Sequence, residues 1–396
     1  AEGAHWPRVN LGANLNTNGF TATMSGPIGG VGRLRKTGAG TLTLMGVNTY
    51  QGGTAANGGT LSVSADANLG AASGNIGFNG GTLRTTASFS TARNVVLNGA
   101  GTFETATGTT LTVGGIISNT GGLTKTGAGT LVLSGTNTYQ GGTTLNAGTL
   151  SISANSALGD AIGALTFGGG TLQTTADIAM SRATTLNSGG TFDVASGTTL
   201  TQNGAISGAG DLTKTGAGAL ILGGNNDYTG ATNVNAGTLA LSGSGSIASS
   251  SGLFLGGSGT VFDISLTTGG ATITSITDLP GNGSVITLGS KTLTVTNGGF
   301  FFGNIQDGGL GGGTGGGLTL AAGAVLSLSG VNTYTGATTI NENAVLELDD
   351  SSVISSSSIV NLAGSGAVFD ISCGCINQQM INDLQGVAGS TVRLGD

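Results

Sequence analysis

The chain has 396 residues, of which 80 are glycine and only 7% are charged, and its net charge is −7. Its 11 Lys and Arg residues are scattered and form no basic stripe, so the sequence predicts no nucleic-acid partner. No apolar run of about 18 residues occurs, and we expect no membrane-spanning segment in this chain. The opening residues, AEGAHWPRVN, lack the basic and apolar regions of a signal peptide, which indicates a processed chain or a fragment.

After residues 1–35, expected to be an N-terminal edge or incomplete first rungs, the chain follows one repeat. KTGAGTLTLMGVNTYQGG begins at Lys36, and near copies begin at Lys125 and Lys214, each 89 residues later. A looser copy surrounds Tyr334. A fixed period of this kind predicts stacked structural units. We predict one continuous solenoid over 36–396, in units 36–124, 125–213, 214–319 and an incomplete 320–396.

Each unit divides into shorter steps. Four strand starts recur in the second unit with the same uneven spacing, and the step that follows the fourth is the longest. They are Leu42, Leu61, Leu83 and Phe103, and then Leu131, Leu150, Leu172 and Phe192. Apolar residues alternate with small polar ones between Gly, Asn and Ser, which is typical of half-buried strands. No stretch has helical spacing with caps. Rungs of about 20 residues with glycine-rich corners predict an all-β parallel β-helix, or β-solenoid.

The later units depart from the 89-residue period. Residues 249–264 recur at 356–371, an offset of 107. The residues by which this offset exceeds 89 are predicted to include three adjacent phenylalanines, 300–302, and a glycine run, 308–317. We predict a flexible excursion for the glycine run and core packing for the phenylalanines, because their exposure would leave an apolar patch.

The repeated charged residues do not form a reactive cluster. Four rungs separate Lys36, Lys125 and Lys214 by roughly 19 Å, too far to share an anion, so they are predicted to be solvated turn residues. Glycosidase chemistry needs carboxylates about 5–10 Å apart, whereas four rungs separate the first two acidic residues that follow a phenylalanine. The acidic residues after phenylalanine are therefore predicted to be exposed turn or strand-end residues. These acidic residues are Glu104, Asp193, Asp263 and Asp370.

Other catalytic and metal sites are also not predicted. A Ser-His-Asp triad would have to use His5, the only histidine, near the start of the chain. An acidic group near the fourth repeat lacks the spacing of a calcium-binding β-roll. Its members are Glu342, Glu347, Asp349 and Asp350. We therefore predict no enzyme, no metal and no cofactor.

The NTYxG strings are predicted to be structural. The asparagines Asn48 and Asn137 suit corners, because Asn tolerates left-handed backbone and bonds nearby peptide groups. The tyrosine rings are expected to cover corners while their hydroxyls reach a partner. They are Tyr50, Tyr139, Tyr228 and Tyr334. The alternative is a row of exposed tyrosines that contacts glycans.

The two cysteines, Cys373 and Cys375, are two positions apart. They are expected in a turn, because the matching segment 264–270 has turn-like composition. A local disulfide and two free thiols both remain open.

The strings KTGAGTL and NTYxG resemble the passenger-associated transport repeat, also called the autotransporter-associated β-strand repeat, of type V secreted bacterial surface proteins. The resemblance covers 36–53, 125–142 and 214–230, and more weakly 326–336. In this fourth unit Gly-Gly-Leu-Thr-Leu, residues 316–320, replaces the Lys-Thr-Gly element. It implies a right-handed β-helix passenger, exported through the outer membrane by a C-terminal barrel that lies outside this sequence. It also implies a stalk that aids folding and export in adhesins or aggregation factors, without enzymatic activity.

We therefore predict a non-enzymatic, secreted or surface-displayed autotransporter stalk that supports adhesion, aggregation or biofilm. Its expected partners are cell-surface or matrix components, or copies of itself. One alternative is a filament subunit that stacks end to end through unpaired terminal rungs. Others are a carbohydrate-active β-helix enzyme and an ice-binding solenoid, although uneven rungs are expected to spoil a regular threonine array.

Overall fold

The computed structural model describes residues 12–349, 352–372 and 381–394. The chain divides into two compact units, Ala1–Ile178 with Arg182–Gly190, and Ala179–Ser181 with Thr191–Asp396. In both units short parallel strands stack rung on rung. The predicted all-β parallel solenoid is confirmed.

The strands are short and follow one another closely along the chain. The first 21 are β1 Ala13–Asn16, β2 Ala22–Met24, β3 Leu34–Thr37, β4 Thr41–Leu44, β5 Thr54–Ala56, β6 Thr60–Val63, β7 Ile76–Phe78, β8 Thr82–Thr85, β9 Phe89–Thr91, β10 Val95–Leu97, β11 Gly101–Thr105, β12 Thr110–Val113, β13 Ile117–Ser118, β14 Leu123–Thr126, β15 Thr130–Leu133, β16 Thr143–Leu145, β17 Thr149–Ile152, β18 Leu165–Phe167, β19 Thr171–Thr174, β20 Ile178–Met180 and β21 Thr184–Leu186.

The strands that follow are longer on average, and several of them span a corner. They are β22 Gly190–Val194, β23 Thr199–Gln202, β24 Ile206–Gly208, β25 Leu212–Thr215, β26 Ala219–Leu222, β27 Thr232–Val234, β28 Thr238–Gly243, β29 Leu253–Leu255, β30 Val261–Thr267, β31 Ala271–Asp278, β32 Val285–Thr287, β33 Thr292–Phe301, β34 Asn304–Gln306, β35 Gly317–Leu320, β36 Val325–Leu328, β37 Thr338–Ile340, β38 Val345–Leu348, β39 Val360–Leu362, β40 Val368–Ile371, β41 Leu384–Gly386 and β42 Thr391–Leu394.

Two single-turn 3₁₀ helices, Asp66–Leu69 and Asn155–Leu158, interrupt the strands at matching corners. The sequence did not predict them, because four residues are too few for a helical periodicity. In the first, the Asn68 side chain accepts hydrogen bonds from the amides of Ser64 and Ala65 and closes the turn. No helix in the described ranges is long and apolar enough to cross a bilayer.

The first three predicted steps are rungs, and the strand register confirms them. Leu42 pairs with Leu61, Leu61 with Leu83, and Leu83 with Phe103. These side chains point inward and are at most 1% exposed. The ring of Phe103 also packs on that of Phe78, with centroids 5.0 Å apart. Differences in rung length are therefore absorbed at the corners, while the strands keep their alignment.

The fourth and longest step, from Phe103 to Leu131, is not a rung. Phe103 pairs with Lys125, whereas Leu131 pairs with Leu111 in another sheet. The step therefore consists of a move to the next sheet followed by one rung. As a result, consecutive copies of the motif lie on different sheets: the Lys36 strand (β3) aligns with β1, β5, β7 and β10, and the Lys125 strand (β14) continues the sheet of β4, β6, β8 and β11.

One outward column of this second sheet holds threonine on eight of the ten strands. Eight consecutive parallel strands place a half-exposed threonine at the same register. They are Thr41, Thr60, Thr82, Thr102, Thr124, Thr144, Thr166 and Thr185. The expectation that uneven rungs would break such an array is wrong. The neighbouring outward column, however, holds the ion pair of Arg84 and Glu104 instead of a second threonine row.

The surplus region of the later units is more ordered than predicted. Of the three phenylalanines only Phe301 is buried, and Phe300 and Phe302 are 63% and 36% exposed. The glycine run is fastened rather than flexible: the Leu310 amide donates to an Asp263 carboxylate oxygen at 2.6 Å, and the Gly311 amide donates to a serine hydroxyl. The segment 264–270 is also less turn-like than expected, because β30 extends to its fourth residue.

Candidate functional site

The motif lysines lie on strands and point into the solenoid. Lys36, Lys125 and Lys214 are fully buried, so the prediction of solvated turn lysines is wrong. The Lys125 ammonium donates to the carbonyl oxygens of Thr126, Gly127 and Ala147 at 2.7, 2.7 and 3.2 Å. The other two lysines have the same three contacts. Each lysine therefore caps carbonyl groups from two neighbouring rungs at a corner.

Burial changes the acidity of these ammonium groups. Loss of hydration lowers the pKa of Lys125 and of Lys214 to about 8, and it lowers the pKa of Lys36 as well. The negative charge of Glu104 partly opposes the shift at Lys125. Three carbonyl acceptors replace the lost water, which is the condition under which a buried charge is tolerated.

The motif asparagines join rungs. The side-chain oxygen of Asn48 accepts the Ile28 amide at 2.8 Å, and its NH2 group donates to the Asn68 carbonyl at 2.6 Å. Asn137 makes the equivalent pair of contacts. Neither asparagine is among the described non-glycine residues with positive φ, so the left-handed conformation expected for them is wrong. One amide side chain instead bridges the rung before it and the rung after it.

The motif tyrosines are buried and hydrogen-bonded. The hydroxyl oxygen of Tyr50 lies 2.6 Å from that of Thr54, and the other three repeats show the same distance. The prediction that the hydroxyl finds a partner is confirmed. The alternative of exposed tyrosines that contact glycans is wrong, since all four rings are at most 2% exposed. Burial raises the pKa of Tyr50 and of Tyr139 to about 12.

Sequence reasoning missed a buried arginine at the 3₁₀ corner. Arg93 donates from Nε to a carboxylate oxygen of Asp66 at 2.8 Å, and its Nη atoms donate to the carbonyls of Gly70, Ala71 and Gly74. Arg182, at the matching place in the next unit, makes the same corner contacts with Asn155 in place of the aspartate. The 89-residue spacing of the two arginines was the available signal.

The acidic residues predicted to be exposed have local structural contacts. Glu104 pairs with Arg84 at 2.8 Å on the surface of the sheet. Asp263 and Asp370 are strand residues, 1% and 8% exposed, so the prediction is wrong for both. Each accepts a hydrogen bond from a serine hydroxyl two residues later at 2.6 Å. The carboxylate of Asp370 also lies 3.1 Å from the Arg393 guanidinium, which helps to lower its pKa.

Several predicted features lie outside the described residues: the first 11 residues of the N-terminal edge, with His5, the turn with Cys373 and Cys375, and Asp350 of the acidic group. In the part of the chain that the structure describes, no group of three or more His, Cys, Asp or Glu side chains could hold a metal ion. The described motif residues contact groups of their own solenoid and are closed to solvent. The lysines and asparagines join neighbouring rungs, and the tyrosines bond threonine hydroxyls four residues away.

The repeat motifs also match a known repeat family. The family model of the passenger-associated-transport-repeat matches residues 34–63, 123–152, 212–241 and 315–347. A curated relative, the adhesin BmaC autotransporter of Brucella suis biovar 1 (strain 1330), is 52% identical over 133 residues. That alignment covers 34% of this chain and 4% of the relative, so the chain spans a small part of the relative's length. No solved structure matches.

Proposed function

Because the chain is an autotransporter passenger with passenger-associated transport repeats, we propose that it acts as a non-enzymatic adhesive scaffold at the bacterial cell surface. The observation that carries the proposal is the burial of the repeat motif: its lysines, asparagines and tyrosines all satisfy backbone or neighbouring side chains inside the solenoid. A chain that caps its corners internally keeps its outward side chains free for contact with other surfaces. The curated relative is named as an adhesin, which supports the proposed adhesive role.

In this proposal the solenoid holds binding surfaces away from the cell, and its partners are components of other cell surfaces or of a matrix. Low charge and short, densely paired strands suit a protein that folds after export, because each rung needs only its neighbours for stability. Autoaggregation and biofilm formation would follow if the partner surface belongs to another bacterium with the same protein.

The experiment is an adhesion assay with the full chain. Latex beads coated with the purified protein are added to cultured epithelial cells and to a bacterial lawn, and bound beads are counted against albumin-coated beads. We expect binding above the albumin control to at least one surface. If the coated beads bind neither surface, or if the purified chain depolymerises a polysaccharide panel, the adhesive scaffold is the wrong function.

A further inference from the structure

A polar groove lies on the surface of the second compact unit, in the part of the chain where the 89-residue repeat breaks down. Its volume is about 320 Å3, and its lining comes from the end of β28, the turn after β30, and strands β31 and β33. Two register shifts flank it, one between Ala240 and Ser242 and one between Ile273 and Ser275. Bulges are frequent next to active sites, where they re-aim side chains or end strand pairing.

The lining is made of hydroxyl groups and backbone. No charged, aromatic or large apolar side chain lines the groove, and the polar side chains in the lining are those of Ser244, Ser246, Thr268, Thr272, Thr292 and Thr294. Four of these hydroxyls have no hydrogen-bond partner within residues 12–349: those of Ser244, Thr272, Thr292 and Thr294. Each of them can donate one hydrogen bond and accept two.

Glycines give the groove its room. A Cβ atom added to Gly243 or Gly269 would meet no other atom within 4 Å, so there is open space beside both positions. Lys291, which precedes Thr292 in the chain, is not part of the lining, and its ammonium donates to the Thr268 carbonyl oxygen at 3.4 Å. The groove therefore offers space and neutral hydrogen-bonding groups together.

We infer that this groove binds a short neutral sugar chain. A sugar presents alternating hydroxyl donors and acceptors, which matches a wall of unpartnered serine and threonine hydroxyls. An anion would need cationic or clustered amide donors, and an apolar ligand would need apolar walls. The inference rests on the proposed adhesive function and adds to it the chemical class of one ligand.

The test is saturation-transfer NMR on the full chain with three neutral trisaccharides: cellotriose, maltotriose and triacetylchitotriose. At least one should receive saturation from the protein. The double variant Thr292→Val, Thr294→Val keeps the side-chain shape but removes two hydroxyls, and each lost hydrogen bond should weaken binding by about fivefold. Gly269→Phe, which fills the groove, should abolish the transfer.

The chain supplies matched controls. Thr102→Val with Thr124→Val removes two unpartnered hydroxyls from the threonine column of the first unit, and Gly26→Phe adds a ring at another glycine with open space around it. Both should leave the transfer unchanged, and circular dichroism checks that every variant is folded. The inference is wrong if no neutral trisaccharide receives saturation, if an acidic trisaccharide binds instead, or if transfer survives in both groove variants. Bead adhesion without sugar binding would refute the groove alone and leave the proposed scaffold standing.

Discussion

The corner at Lys125 and the corner at Leu320 satisfy equivalent carbonyl groups by different means. Both residues stand 14 positions before the motif tyrosine. At the first corner the lysine ammonium reaches Thr126 and Ala147. At the second, the Ala324 amide donates to Ala321, and the Gly323 amide donates to Glu342 at 2.9 Å. A tight backbone turn has replaced the charged side chain, and a buried leucine fills the space that the lysine occupies elsewhere.

Every carbonyl group buried at a solenoid corner needs a hydrogen-bond donor, which can be a side chain or a backbone amide. Corners capped by Lys or Arg depend on one side chain, so a single substitution can break them. A corner capped by its own backbone depends on local turn geometry instead. Hydrogen exchange at a single corner measures this difference, because a stacked array can open locally without unfolding elsewhere.

The largest effect is expected when a lysine is placed at the backbone-capped corner. In Leu320→Lys the carbonyls of Ala321 and Glu342 already accept backbone amides, so the buried ammonium would have poorer acceptors than at the Lys125 corner. We expect a loss of about 4 kcal/mol in local opening free energy. Leu320→Met conserves volume and should cost less than about 1.5 kcal/mol. Equal exchange protection in the Lys and Met variants would contradict the backbone-capping account.

The next effect concerns the arginine corner. Arg93→Met removes the donors to four carbonyls, those of Asp66, Gly70, Ala71 and Gly74, and leaves the Asp66 carboxylate without its partner. We therefore expect a loss of about 3 kcal/mol near residues 66–74. Arg182→Met should cost less, because its corner holds a neutral asparagine. The matched control is Arg84→Met, in an exposed ion pair with a cost of about 0.5 kcal/mol. A loss at Arg84 as large as that at Arg93 would refute the ranking.

The third prediction breaks a lysine corner. Lys125→Met keeps the length of the side chain but removes its three hydrogen bonds, and the carbonyls it leaves have no replacement donor. The gain from no longer burying a charge offsets part of this loss, so we expect a net cost of about 2 kcal/mol, measured at the amides of residues 126–147. Unchanged exchange rates there would mean that water reaches the corner and the lysine is not needed as a cap.

The fourth prediction is a pH dependence. The folded-state pKa of Lys125 and of Lys214 is about 8, below the usual lysine value, so the unfolded state binds more protons between pH 8 and about 10. Stability should therefore rise with pH over this range and stay level below it. Above pH 10 the raised pKa of the tyrosines reverses the trend. Urea midpoints of the wild type and of Lys125→Met with Lys214→Met, taken at pH 7 and 9.5, check it: an equal rise in both proteins would exclude these two lysines as its cause.

The smallest effect is a gain. The buried hydroxyl of Thr105 has no hydrogen-bond partner, and Val194 occupies the matching position of the next unit. Thr105→Val should therefore stabilise its rung by about 1 kcal/mol. Thr102→Val, on the half-exposed outer surface of the same strand, is the control and should change little. Destabilisation by Thr105→Val would mean that the hydroxyl has a partner in solution.

Much of the fold could be predicted from local pattern alone. The three unequal rungs followed from Leu42, Leu61, Leu83 and Phe103, because strand alternation and glycine corners are local signals. The candidate site was harder. Lysine looked like a solvated turn residue because its charge argues for water, and only the three-dimensional corner shows that carbonyls take the place of that water. The arginine corner was missed because its partners lie 19 to 27 residues away.

The sequence by itself determined the parallel β-solenoid, its rung length and the repeating motif, since each of these depends on residues close together along the chain. Only the tertiary structure decided how the motif is placed around the solenoid. The 89-residue unit moves its motif to the next sheet, so Lys36 and Lys125 lie in different sheets, while the threonine column draws its members from different parts of the motif. Strand register sets this placement, and register depends on hydrogen bonds between rungs that a linear period does not contain.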